Sequence, residues 1–442
     1  MQTTRPLHPT LKRCIILAYL VLFILGICLD NPEAPIVIDL RKAPSCAFAA
    51  PIPAAHFHDR QQSLAKALHH LNASAFITEP GPTAQYYFNV STTNWKLSER
   101  PFLFVLSPEV LNDGSDVAPR ITVLAPKFEI TRASLLDVPL SPDAQLSLTT
   151  WAEDASPYKV AHDSLGPLAQ GNAVYVDGAT RWFVVSGLQD AFGKNTTVSF
   201  PPAEISDLRS QKSQAEIQIM KCANELTVEA IRATRKKMFM GMTEREASTK
   251  IAALLASAGL QNGGCLTLFG ENAALPHGSG SNRSLNPTDF ALFDCTATLY
   301  GYWADVTRTI ALKDSRIPPD HLQIWEDVRR AQIMALDVVK NGTTTGEVDA
   351  AARRFLRAVG HGEEFTHRLG HGIGLEMHER PYLVPGSSDV LRPGHTFSDE
   401  PGVYIEGKVG VRSEDCFYVN EDGRPELLTE GTGGLAADPW NP

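Results

Sequence analysis

Apolar positions along this chain change their period several times, and the changes outline its elements. Near the start, Cys14–Leu29 is an unbroken apolar run, preceded by Arg5, Lys12 and Arg13 and closed by Asp30. In the next part of the chain, Leu64, Leu68 and Leu71 mark a helix. Short apolar runs follow at Pro101–Leu106, Ile121–Leu124, Ala173–Val176 and Trp182–Val185, and these read as strands of an α/β layer. From Gln211 to about Lys237, Ile217, Met220, Asn224, Val228 and Ile231 fall near helical spacing and predict a long helix with a buried stripe. Thr243-Glu-Arg-Glu246 has the form of a capping box and predicts a helix ending at Gly259. Asp320–Val339 and Glu347–Val359 predict two more, closed by Asn341-Gly342 and Gly360.

These patterns divide the chain in three. Residues 1–55 form a hydrophobic anchor or signal segment with a Pro- and Ala-rich linker. Residues 56–205 form an α/β domain that ends near Pro201-Pro202, and residues 206–442 form a domain that mixes helices with antiparallel hairpins. The fold class is α+β. As a helix, the sixteen-residue run Cys14–Leu29 would span about 24 Å, somewhat less than a ~30 Å hydrocarbon core. Its basic flank favours an uncleaved single-pass anchor, with cleavage and secretion as the alternative. Either reading sends the rest of the chain into the secretory route. Five sequons, at Asn72, Asn89, Asn195, Asn282 and Asn341, agree with a glycoprotein.

Composition narrows the function. With 442 residues and 43% apolar content there is room for two or three cores. The net charge of −10 is spread along the chain and offers no basic patch for nucleic acid. Seven cysteines show no CxxC or zinc spacing, so they build no metal site. Cys295 and Cys416 read as small core residues.

The chemistry gathers around His367-Arg-Leu-Gly-His371-Gly-Ile-Gly-Leu-Glu-Met-His378-Glu379. Gly370, Gly372 and Gly374 would weaken a helix, so the segment needs close backbone approach or an unusual dihedral. On either side lie paired acids. Ala291–Asp294 and Trp303–Ala311 read as a hairpin whose turn, centred on Leu299-Tyr300, would set Asp294 opposite Asp305. Asp399–Tyr404 and Val409–Asp415 read as a second hairpin, with Glu400 opposite Glu414 about Gly407. Opposed like charges destabilise a hairpin, and a cation between them reverses the sign. Four carboxylates with one imidazole suit divalent ions, Mn²⁺ first, with Co²⁺, Zn²⁺ or Fe²⁺ as alternatives. An HExxH zinc site fails because Arg368 stands at the Glu position, and Gly370–Gly374 lacks the spacing of a dinucleotide loop.

Asp294, Asp305-Val-Thr-Arg-Thr, Gly-His371-Gly-Ile-Gly, Glu400-Pro-Gly-Val-Tyr and Val-Arg412-Ser-Glu414-Asp together resemble the pita-bread metallopeptidases. That family includes methionine aminopeptidase, aminopeptidase P, prolidase and the metal-free creatinase. The resemblance implies a creatinase-type N-terminal domain before a pita-bread catalytic domain. It also implies two metal ions on Asp294, Asp305, His371, Glu400 and Glu414, with Asp305 and Glu414 bridging. His277 and His378 would serve substrate and intermediate, His367 the substrate pocket, and Arg412 would orient the carboxylates. The implied reaction is hydrolysis of N-terminal Xaa-Pro bonds by a hydroxide held between the metals, as an aminopeptidase or a dipeptidase. Peptides with proline in second place are the expected partners, and a homodimer is compatible with the layout. A metal-free creatinase-like C–N hydrolase and a non-catalytic binding module are the rival readings.

Overall fold

A computed structural model describes residues 38, 40–111, 116–141, 144–166, 173–278 and 280–442. Short apolar runs in the first half build a mixed six-stranded sheet. Its strands are β1 (Ala73–Thr78), β2 (Leu103–Val110), β3 (Val117–Pro126), β4 (Gln145–Trp151), β5 (Ala173–Val176) and β6 (Thr197–Ser199). Their spatial order is β4-β3-β2-β1-β5-β6. β2 runs antiparallel to β1 and β3, and the other neighbours are parallel. Helices α1 (Ala54–His70) and α2 (Pro82–Phe88) pack with Phe76, Phe104 and Leu106 in one core. Helices α3 (Pro157–Leu165) and α4 (Trp182–Phe192) pack with Ile77, Val105 and Val174 in another. A sheet covered on both faces reads as continuous apolar runs rather than alternation. Trp182–Val185, expected as a strand, instead opens α4. A short apolar run does not distinguish the two by period; Val184, Val185, Leu188 and Phe192 form the buried helical stripe.

The second half carries α5 (Ala203–Ser210), α6 (Gln214–Arg235), α7 (Glu244–Ser257), α8 (Pro319–Val338) and α9 (Thr345–Ala358). Reciprocal capping boxes start three of them: Ser213 with Glu216, Thr243 with Glu246, and Thr344 with Glu347. α6 is buried along the whole expected stripe, Ile217, Met220, Asn224, Val228 and Ile231. Three groups of strands accompany these helices. The first is the antiparallel sheet of β7 (Gln261–Phe269), β8 (Ala291–Leu299) and β9 (Tyr302–Ile310). The second contains β10 (Gly370–Gly372), β11 (Glu379–Leu383) and β12 (Thr396–Asp399), and the third is the hairpin β13 (Gly402–Ile405) and β14 (Val409–Arg412). β15 (Asp415–Val419) and β16 (Pro425–Leu427) complete the second sheet, in the order β11-β10-β12-β15-β16. One apolar core runs from Phe76 and Phe104 through Ile217 and Met220 to Ile373 and Cys416, so the halves share an interior.

Cys46–Cys222 and Cys265–Cys295 are disulfides. Cys295 is therefore not the free core residue expected from sequence; it faces Cys265 across the β7–β8 ladder. Cys416 is free and buried, as expected, and its thiol donates to the Asp305 carbonyl at 3.2 Å.

The membrane assignment is corrected. Among the described residues no helix is long and apolar enough to cross a membrane. The run Cys14–Leu29 lies outside the described residues. An anchored or secreted location and a membrane-inserted N-terminus rested on that run and its basic flank, with the sequons in agreement, and apolar length without a described helix cannot establish a span. The glycoprotein assignment rested on the same secretory reading and is withdrawn with it.

Candidate metal centre

The β8–β9 hairpin turns one residue later than expected. Tyr300 (φ 50°) and Gly301 (φ 87°) occupy the turn. Two successive positive φ values suit a two-residue turn matched to strand twist. Asp294 consequently faces Thr307, and Asp305 faces Thr296. The register differs by two residues from the sequence expectation, so both acids keep the same face of the sheet. The second hairpin has the expected register. Gly402 pairs with Arg412 in β13–β14, and Asp399 pairs with Asp415 in β12–β15. Glu400 and Glu414 lie where the chain passes between those ladders. Their amides bond instead to Leu369 O at 2.9 Å and Thr307 O at 3.1 Å.

The glycines around His371 serve close approach. A Cβ on Gly370 would lie 2.0 Å from Ser398 O, and one on Gly372 would lie 2.5 Å from Glu379 O. β10 can therefore sit between β11 and β12, placing His371 beside the acids. His371 Nδ1 faces its neighbour's carbonyl, Gly372 O, at 3.0 Å. That geometry places a proton on Nδ1, so Nε2 bears a lone pair in the neutral ring and a second proton in the imidazolium that pairs with Glu400. Nε2 points at Glu400 Oε1, 3.3 Å away, and Asp305 Oδ2, 3.7 Å away.

All nine residues expected from sequence, His277, Asp294, Asp305, His367, His371, His378, Glu400, Arg412 and Glu414, line one cavity of about 550 Å³. Donor atoms of Asp294, Asp305 and Glu414 fall within 4.8 Å of one another, as do those of His371, Glu400 and Glu414. Asp305, His371 and His378 form a third such group. Among the described residues, buried Asp305 Oδ1 and Glu414 Oε1 have no hydrogen-bond partner. Burial and the neighbouring carboxylates push Asp305 and Glu414 well above the usual carboxylate range. Orphaned buried oxygens and crowded acids fit a site built for divalent cations. Burial also pushes Glu400 up, but the hydrogen bond and charge of His371, with His367 and Arg412, outweigh it and bring Glu400 down to about 2.

Behind the acids stands Arg412, 2% exposed. Its Nη2 donates to Asp294 at 2.6 Å, its Nη1 to Tyr404 at 2.9 Å, and its Nε to Thr307 Oγ1 at 3.2 Å. Thr307 Oγ1 in turn donates to Glu414 Oε2 at 2.6 Å. His367 reaches this group through Tyr404 OH at 2.8 Å, and burial lowers its pKa. Tyr404 and Thr307 were assigned no role from sequence. Thr307 was findable, because residues two apart in a strand share a face with Asp305. On the open side, the rings of His371 and His378 meet edge-on at 4.2 Å. Burial, then the charges of His371 and Arg368, lower His378 to about 4. Arg368, absent from the expected site, lines the same cavity. It has no carboxylate partner among the described residues, and its guanidinium rests 4.8 Å from the Tyr382 ring centre.

A prolidase-like pita-bread fold with an N-terminal domain thus presents buried acids and an imidazole to one cleft. The chain belongs to metallopeptidase family M24, whose pattern matches residues 218–421. It is 38% identical over 377 residues to an uncharacterised peptidase of Schizosaccharomyces pombe, covering 84% of this chain and 81% of that protein. It is 34% identical over 291 residues to the Xaa-Pro dipeptidase of Lactobacillus delbrueckii, covering 62% and 77%. Among solved structures, dipeptidase PepE from Mycobacterium ulcerans superposes with a TM-score of 0.74 at 28% identity, covering 86% of this chain and 97% of that one. The chain is a metallopeptidase, and the binding-module reading is set aside. These likenesses are to peptidases, and they give no support to the membrane-anchored assignment.

Proposed function

We propose that this chain is an Xaa-Pro dipeptidase working with two divalent metal ions, Mn²⁺ by preference. Residues 56–205 would form its N-terminal domain and residues 206–442 its catalytic domain. The observation that carries the reading is the convergence of Asp294, Asp305, His371, Glu400 and Glu414, with orphaned carboxylate oxygens between them. The names of its relatives, Xaa-Pro dipeptidases among them, support the substrate class. Asp294, Asp305 and Glu414 would hold one ion; His371 and Glu400, with Asp305 and Glu414, would hold the other. When bound, such a pair lowers the pKa of a coordinated water and polarises a carbonyl.

The chain's own groups supply the remaining steps. Glu400, ionised at neutral pH, accepts the proton of the attacking water and passes it to the departing prolyl nitrogen. That nitrogen carries no proton in the tertiary amide and leaves as a secondary amine once it has gained the one Glu400 delivers. His378, kept neutral by its low pKa, donates an N–H to the developing oxyanion. His277 and His367 hold the substrate from the rim and the wall of the cavity. Arg368 has no carboxylate partner among the described residues, and a dipeptide's terminal carboxylate, one carbon removed from the prolyl nitrogen, is its natural counter-ion. That favours dipeptidase over aminopeptidase action.

Incubation of the full chain and Mn²⁺ with Ala-Pro, Ala-Pro-Ala and Ala-Ala-Ala, followed by mass spectrometry, tests this reading. Cleavage confined to Ala-Pro supports a dipeptidase. Release of Ala from Ala-Pro-Ala makes the enzyme an aminopeptidase, and metal-dependent cleavage of none of the three overturns the Xaa-Pro reading.

A further inference from the structure

Directly behind the loop that carries His378 lies a cluster of buried charge that no step above uses. Lys212 Nζ is in contact with Glu379 Oε1, and both side chains are under 5% exposed. The same ammonium donates to Ser210 O at 3.0 Å. Arg209 contacts Glu376 and lies 3.9 Å from Glu379 Oε2. Glu379 Oε2 also accepts the Glu376 amide at 3.4 Å, which closes the four-residue loop Glu376-Met377-His378-Glu379 on itself. Arg209 and Lys212 come from α5 and the segment just after it, over 160 residues away in sequence.

The packing around this pair is specific. A Cβ on Gly374 would lie 2.7 Å from Lys212 Cε and 2.9 Å from Glu379 Oε1, so only glycine leaves room for the pair beneath the loop. Lys212 is itself fixed, its amide donating to Gly394 O at 2.8 Å. α5 is tied to the first sheet's helix layer through Tyr86 OH and Leu208 O at 2.6 Å. A buried ion pair contributes little net stability once desolvation is counted, so stability alone does not account for one here. It does fix geometry. Glu379 adjoins His378 and opens β11, so the pair sets where the His378 ring stands against His371.

We infer that Lys212 is a positioning residue for His378, acting through Glu379: the buried Lys212–Glu379 pair holds the imidazole at the reacting carbonyl. The inference rests on the role given to His378 in the preceding subsection. It places a determinant of turnover at the joint between the first sheet and the metal centre, outside the cavity.

A double-mutant cycle on the metal-loaded full chain, with Ala-Pro as substrate, tests it. A small misplacement of a catalytic group costs up to about 100-fold, so Lys212→Met should lower kcat by about 10- to 100-fold, with KM moving less than about threefold. Lys212→Arg should recover most of the loss. In the His378→Ala background, Lys212→Met should cost no more than about twofold, because coupled residues are non-additive. An equal loss in both backgrounds would overturn the inference while leaving the peptidase reading intact, and so would an unchanged kcat for Lys212→Met. Full activity of His378→Ala alone would overturn the inference together with the role assigned to His378. Should Lys212→Met fail to fold, Glu379→Gln, which keeps the shape and removes the charge, enters the same cycle with the same outcomes.

Discussion

Arg412 Nη2 lies 2.6 Å from Asp294 Oδ2, and the same guanidinium binds Tyr404 and Thr307. Asp294 is thereby aimed at Asp305 and Glu414 rather than left to find its own rotamer. Groups that orient metal ligands commonly matter by about 10- to 100-fold in affinity. Arg412→Ala should weaken Mn²⁺ binding by that factor in calorimetric titration. Arg412→Lys should rescue little, because an ammonium cannot serve three acceptors held in a fork. Unchanged affinity in Arg412→Ala would show that Asp294 is held by other means.

Among the described residues Arg368, which lines the cleft, has no carboxylate partner. A site that expects a carboxylate discriminates against the neutral analogue, because its half-buried donor is left unpaired. Arg368→Gln should lower kcat/KM for Ala-Pro by about 10-fold or more beyond any loss for Ala-Pro-amide. Equal losses on both substrates would remove Arg368 from recognition of the terminal carboxylate.

Acid sensitivity should trace partly to His395, which is 4% exposed. Burial, then the charges of Lys212 and Arg392, lower its pKa to about 4 from an ordinary 6.5. A depressed histidine pKa means that protonation favours the unfolded chain. The contribution is therefore full above pH ~6.5 and lost as pH falls toward ~4. Between pH 7 and pH 5 the loss is about 2 kcal/mol, and urea midpoints should show it. His395→Gln should flatten that slope; an unaltered slope would place the acid sensitivity elsewhere.

The Cys46–Cys222 bond closes a sequence separation of 176 residues and ties the segment before α1 to α6. By the chain-entropy account, a loop of that size is worth up to about 5 kcal/mol. Cys46→Ser with Cys222→Ser should lower the denaturant midpoint accordingly while leaving Mn²⁺ affinity unchanged, since neither residue lines the metal cavity.

Much of this site was legible in the sequence because its chemistry is local in the strands. Asp294 and Asp305 share a face whenever the register shifts by an even number of residues, so a two-residue error still brought them together. The alternation of a strand tolerates that error; an odd shift would have separated them. Gly370 and Gly372 signalled close approach correctly, and the partners are Ser398 and Glu379. What remained hidden depends on distant segments meeting. Lys212 reaches Glu379, Cys265 reaches Cys295, and Tyr404 bridges His367 and Arg412. None of these pairs leaves a periodic trace. Trp182–Val185 misled for a different reason, because four apolar residues do not establish a period. The apolar run Cys14–Leu29 misled about location, since length and hydropathy alone do not establish a membrane span.

As proposed above, Asp294, Asp305, His371, Glu400 and Glu414 hold two metal ions on which hydrolysis depends. The most direct test of this proposal titrates the chelated full chain with Mn²⁺ while bound metal and Ala-Pro turnover are measured on the same samples. Two ions should bind per chain and turnover should rise with occupancy, with His371→Ala losing one ion and nearly all turnover. Full turnover in chelator, or wild-type activity in His371→Ala, would contradict it.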